Sequence, residues 1–282
     1  MIKIKVLQEY LREKKEVLMA FIFGSFVRGQ QTEDSDIDIA IYLKPEENAI
    51  EMEEKHDYPV KNEIWRKING IMKRDTDLVI LNQAYPSFAL NVIKSGIPLV
   101  IKDVNLYREF YDIVERETED FIPFMEDYLQ IKIAARSLTK EARISLMSRF
   151  DYLLTYYYPE KDRFLKLDFA TYKNDNDQRR IIERWVENIA NCTLDIAKIV
   201  LASEKKEMPK SYKDVLFDFG MFLGLKAEEA ENFSGIAELR NILAHEYLDI
   251  LYSQIRNFLD NLSPFYEKLF AFLKDYLKKN TP

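Results

Sequence analysis

Gly24-Ser25 stands ten residues ahead of Asp36-Ile37-Asp38. A glycine lets the backbone approach a phosphate closely, and the serine adds a hydroxyl and an amide that can donate to it. Carboxylates at i and i+2 on a strand project from one face, so Asp36 and Asp38 can together hold a divalent metal against a triphosphate. Asp77 opens the apolar run Leu78-Val79-Ile80-Leu81, and a strand beside 36–43 would bring it next to the pair. Phosphoryl and nucleotidyl transfer ask for this kind of set, because they depend on charge neutralisation and in-line positioning more than on covalent chemistry. Arg28 is a further candidate phosphate contact. Each part alone has an ordinary account as a turn, a strand edge or a cap; their joint order carries the reading.

A second constellation lies at Arg240-Asn241-Ile242-Leu243-Ala244-His245-Glu246-Tyr247. On a helix, Asn241 and His245 are i,i+4 neighbours, and Arg240 and Tyr247 share a face at i,i+7. A histidine can take a proton from a ribose 2′-hydroxyl while an arginine stabilises phosphorane charge, a cleavage that needs no metal. From spacing alone the simpler account is a satisfied core histidine and a surface ion-pair arginine. The other histidine, His56, sits in a charged stretch that reads as exposed and inert.

The elements that must position these residues are legible in outline. Residues 5–15 read as a charged helix and Val17–Phe23 as a buried strand ending at Gly24. Residues 36–43 alternate, with Ile37, Ile39, Ile41 and Leu43 on one side, which predicts a strand with one apolar face. Residues 46–72 read as mostly helical with a break near Asp57-Tyr58-Pro59. A strand at 77–81, a helix at 87–94 stopped by Gly96 and a short strand at 99–101 follow. Beyond residue 104 only helical periods remain, at 105–130, 138–157, 177–203, 209–223, 226–245 and 251–278, with Pro159, Pro209 and Pro264 as punctuation. The fold class is therefore α+β, with a sheet domain at 1–104, a connecting helix at 105–137 and a helical domain at 138–282.

The chain has 282 residues, of which 47% are apolar, enough for a core in each part. Its formal net charge of −7 argues against gripping nucleic acid by broad electrostatics, and no DNA-binding role is expected. One cysteine, Cys192, excludes an internal disulfide and fits a cytoplasmic setting. The longest apolar run, Val17–Phe23, is too short to span a membrane.

Phe23-Gly24-Ser25-Phe26-Val27-Arg28-Gly29 followed by Asp34-Ser35-Asp36-Ile37-Asp38-Ile39 resembles the minimal (MNT) branch of the polymerase-β-like nucleotidyltransferase superfamily. The resemblance covers 17–104 and implies a mixed sheet flanked by helices. It implies Mg²⁺, ATP as substrate, Asp36, Asp38 and Asp77 as metal ligands, and Asp77 as a base for the incoming hydroxyl. Asp75 competes for that role, but the Leu-Val-Ile-Leu run after Asp77 makes Asp77 the better match.

Arg240-Asn241-x3-His245-x-Tyr247 resembles the signature of HEPN-domain ribonuclease toxins of the HepT kind. The likeness extends over roughly 141–275, through Asp177 to Arg184, the helix with Asn191-Cys192-Thr193-Leu194-Asp195, and Pro209-Lys210-Ser211-Tyr212. It implies an all-α helical bundle, a homodimer with a composite cleft, and RNA as substrate. Lys205, Lys206, Lys210 and Lys213 could add RNA contacts, though a solvated loop is the plainer account. In such systems an MntA-like antitoxin transfers AMP from ATP to the tyrosine of the toxin motif, here Tyr247. Both halves on one chain are a departure from that arrangement. The combined expectation is a fused toxin–antitoxin-like protein whose MNT part adenylylates Tyr247 and so silences a ribonuclease. The competing expectations are an adenylyltransferase for a small molecule such as an aminoglycoside, and a non-catalytic ATP-binding dimeric module.

Overall fold

A computed structural model describes residues 2–27, 29, 36–45, 50–134, 137–245 and 252–279. The chain divides into two compact units, Met1–Asp120 and Phe121–Pro282.

The first unit contains α1 (Ile2–Glu13), β1 (Val17–Phe23), β2 (Ile37–Leu43), α2 (Val60–Met72), β3 (Thr76–Ile80), a 3-10 turn at Leu81–Gln83, α3 (Pro86–Ser95) and β4 (Ile97–Ile101). The strands form one sheet in the order β3-β2-β1-β4. β1 is antiparallel to β2 and β4, while β2 and β3 are parallel. β2 departs from the expectation of a single apolar face. Ile37, Ile39, Ile41 and Leu43 pack with Leu7 and Leu11 of α1 and Ile64 and Ile68 of α2. Ala40 and Tyr42 are also buried, against α3 residues and Phe110, with the Tyr42 and Phe110 rings 4.8 Å apart. Helices on both sides of the sheet account for the near-continuous apolar character of β1 and β2.

Of the stretch expected to be mostly helical, the part after the expected break at Asp57-Tyr58-Pro59 is a helix, Val60–Met72, and residues 46–49 lie outside the described residues. Residues 50–59 are not helical, and side chains satisfy part of their backbone instead. Asn82 is fully buried. Its Oδ1 accepts from the Leu43 amide (2.8 Å), and its Nδ2 donates to the Leu43 carbonyl (3.0 Å) and to Glu51 Oε2 (2.9 Å). Tyr58 donates to the same Glu51 oxygen (2.7 Å), and the Glu51 amide donates to the Tyr42 hydroxyl (2.9 Å). Burial pushes both tyrosine hydroxyls well above their ordinary pKa. His56 is half-buried rather than exposed, with its ring 4.3 Å from that of Tyr58.

α4 (Val104–Ala134) crosses the division between the units. The second unit continues with α5 (Lys140–Leu165), α6 (Phe169–Asn174), α7 (Asn176–Ser203), α8 (Tyr212–Phe222), α9 (Ala227–Ser234), α10 (Ile236–His245) and α11 (Tyr252–Lys279). α7 supplies much of its core, through Ile182, Val186, Ile189 and Ala190 among others. Thr139, Asp175 and Ser211 cap α5, α7 and α8 by accepting from backbone amides of their first turns.

The single helix expected over 226–245 is two helices divided at Gly235. There the Ser234 hydroxyl bonds back to the Glu231 carbonyl (2.7 Å), and glycine adds little helix preference. Conversely, Pro159 and Pro264 lie inside α5 and α11 and do not end them. Near Pro159 the Trp185 indole donates to the Tyr156 carbonyl (2.9 Å), and packing outweighs the local preference. Among the described residues no helix is long and apolar enough to cross a membrane.

Replacing Asn82 by leucine would strand the Leu43 amide and carbonyl in a buried site. The expected outcome is a loss of about 2–4 kcal/mol in the stability of the first unit, read from its urea unfolding transition.

Candidate active sites

Phe23, the last residue of β1, pairs with Asp38, the second residue of β2. Asp38 in turn pairs with Asp77 on the parallel neighbour β3. Register partners on adjacent strands project from the same face, with backbones about 4.8 Å apart. The sheet therefore places the Asp38 and Asp77 carboxylates side by side. Asp36 stands just ahead of β2 and is exposed. The Ile37 amide donates to the Asp75 carbonyl (3.1 Å), so the ladder begins at the Asp36–Ile37 peptide. Asp75 itself is exposed, two residues before Asp77.

Gly24 is required here for two reasons. Its φ of +73° is one that other residues rarely adopt, and a Cβ built on it would lie 1.9 Å from Asp38 Oδ2. The turn backbone thus presses directly onto the carboxylate. Ser25 follows in the same turn and is half-buried. Arg28, Asp34 and Ser35 lie outside the described residues.

Among the described residues, no group of three or more His, Cys, Asp or Glu side chains is placed to hold a metal ion. A Mg²⁺ ion in nucleotide chemistry is commonly taken by one or two carboxylates, with substrate phosphates completing its shell. The in-register Asp38–Asp77 pair fits that donor set.

In the second unit Arg240 projects from α10 toward α7 and α8. Its Nε donates to Asn191 Oδ1 of α7 (2.8 Å), and its Nη1 donates to Asn241 Oδ1 (3.2 Å). Its guanidinium lies 4.8 Å from the centre of the Tyr212 ring. Asn191 and Tyr212 were visible only as members of the helix and loop that carry the resemblance. Their contact with Arg240 spans 49 residues for Asn191 and had no local signal. Asn241 and the backbone of His245 are helical, whereas the His245 side chain and all of Tyr247 lie outside the described residues.

The lysines have partners of their own. Lys213 pairs with Glu238 (2.6 Å), Lys206 lies over the Phe222 ring (5.2 Å), and Lys205 donates to the Lys132 carbonyl. Cys192 is buried and its thiol is pushed up to about 12, chiefly by burial, so it is no nucleophile at neutral pH.

Residues 5–105 match the family model of polymerase beta, nucleotidyltransferase, and residues 156–273 match that of ribonuclease HepT-like. The chain joins a nucleotidyltransferase domain to a HepT-like domain. No curated protein matches it. Among solved structures, a toxin–antitoxin with AMP-PNP is 20% identical, with a TM-score of 0.35, and the match covers 45% of this chain and 98% of that one. A toxin–antitoxin MntA-HpeT mutant is 19% identical, with a TM-score of 0.34, covering 44% of this chain and 96% of that one.

The clash at Gly24 of the nucleotidyltransferase domain can be isolated by a double-mutant cycle. Gly24→Ala is expected to cost at least about 1 kcal/mol more in a wild-type background than in Asp38→Ala, because the second substitution removes the carboxylate the methyl would strike. Thermal unfolding of the four proteins measures the coupling.

Proposed function

We propose that the nucleotidyltransferase domain transfers AMP from ATP to Tyr247 of the HepT-like motif, and that this modification silences a metal-independent ribonuclease. The observation that carries the reading is the in-register pair Asp38 and Asp77 beside a turn whose Gly24, at a φ of +73°, lies against the Asp38 carboxylate. Gly24 and Ser25, with Arg28, would receive the triphosphate. Asp36, Asp38 and Asp77 would hold Mg²⁺, which supplies charge neutralisation to the phosphates. The tyrosine hydroxyl oxygen bonds to the α-phosphorus, the bond to the bridging oxygen breaks, and pyrophosphate leaves with that electron pair. Asp77 would take the phenol's proton.

On the HepT-like side, Arg240 would stabilise charge on the scissile phosphate and His245 would move the 2′-hydroxyl proton. The Asn191 and Asn241 contacts support that role, since they fix the guanidinium before substrate arrives. AMP on Tyr247 would add a phosphate beside Arg240 and His245, blocking RNA by occupancy and by like charge. The reading includes a homodimer through the HepT-like domain and a cytoplasmic location, where ATP and RNA are both at hand.

Incubation with α-labelled ATP and Mg²⁺ tests the transfer. Label is expected on the wild-type protein and is expected to vanish in Asp38→Asn and in Asp77→Asn. Label on an added aminoglycoside in place of the protein would instead establish small-molecule transfer.

A further inference from the structure

We propose that the face of α7 that carries the exposed Arg180 and Arg184, bounded by α5 and α10, seats single-stranded RNA, with Tyr152 and Tyr156 as a base-stacking ladder beside the Arg240 site. The inference rests on the ribonuclease reading and assigns residues outside its signature.

Arg180, Arg184, Glu187 and Asn191 recur at i, i+4, i+7 and i+11, so they form one stripe on α7. Ile182, Val186, Ile189 and Ala190 occupy the opposite, buried side. At one end of the stripe Asn191 holds Arg240. Arg184 lies seven residues earlier, about 10 Å along the helix axis, and its side chain is 69% exposed.

α5 borders this stripe with aromatic rings. The Tyr152 and Tyr156 rings stack with centroids 4.4 Å apart and planes 25° from parallel. Tyr156 is 50% exposed. The bond from the Trp185 indole to the Tyr156 carbonyl ties this turn of α5 to α7. Burial raises the Tyr152 pKa. Stacked aromatics with an exposed ring are what successive unpaired bases use, at about 1–3 kcal/mol per base.

The charges decide what kind of binding this is. Arg184 pairs with Glu187 (2.8 Å) and Arg149 pairs with Asp195 (2.8 Å). These local cations are matched by carboxylates, and the whole chain is acidic. Stacking, not phosphate neutralisation, would then supply most of the affinity, and binding would depend only shallowly on salt.

The test uses full-length His245→Ala as the parent and a fluorescein-labelled single-stranded RNA oligonucleotide, read by anisotropy. Tyr156→Ala and Tyr156→Leu are expected to weaken binding roughly tenfold, because leucine keeps apolar bulk without a planar face. Tyr156→Phe is expected to bind like the parent, and ATP-dependent labelling of the otherwise wild-type chain is expected to be unchanged by Tyr156→Ala. RNA binding by the parent with equal affinity in Tyr156→Leu would overturn the proposal while leaving the ribonuclease reading intact. Loss of binding that tracks a change in sedimentation mass would overturn it in favour of a surface for a second copy of the chain. A parent that binds no RNA would sink the ribonuclease reading itself, and this proposal with it.

Discussion

The nucleotidyltransferase half depends on one close approach, the left-handed Gly24 turn lying against the Asp38 carboxylate, where a Cβ would force that side chain to move. Everything around it serves that contact. β1 delivers the turn because Phe23 pairs with Asp38, and β3 delivers Asp77 because it lies parallel and in register with β2. A one-residue slip in either pairing would send a carboxylate to the other face of the sheet. The register is held by burial on both faces of β2, since Ile37, Ile39 and Ile41 fill one layer and Ala40 and Tyr42 the other. The apolar layers therefore set where the acidic pair meets the turn.

The HepT-like half fixes Arg240 in a different way. A long flexible arginine is held from its own helix by Asn241, from α7 by Asn191 and from α8 by the Tyr212 ring. Three contacts from three helices restrict a side chain that otherwise carries about 2 kcal/mol of rotamer entropy. α7 is the common element. It is buried along one side, and its other side carries both the anchor for Arg240 and the stripe leading to Arg184.

Much of this was legible in the sequence, and the exceptions share a cause. β1 was readable to the residue because an unbroken apolar run ending in glycine has few other accounts. The non-helical stretch at 50–59, the division at Gly235 and the continuity of helix through Pro159 were not, because tertiary contacts override local preference there. Asn82 reads as an ordinary turn residue; only the fold shows it buried and bridging Leu43 to Glu51. Among the site residues, Asp38 and Asp77 could be suspected from their edges, but their pairing is a property of strand order. Asn191 lies in a helix that the resemblance covers, yet its partner is 49 residues away. Sequence patterns expose what is periodic or local, and these contacts are neither.

In the proposed function the acidic pair of the first unit acts on the tyrosine of the second. Intact mass of the purified protein after exposure to ATP and Mg²⁺, followed by fragmentation to locate any adduct, tests it most directly. One or more AMP increments are expected, with modification at Tyr247, and none in Asp38→Asn or Tyr247→Phe. A wild-type protein that stays at its unmodified mass, or an AMP increment that persists undiminished in Tyr247→Phe, would contradict it.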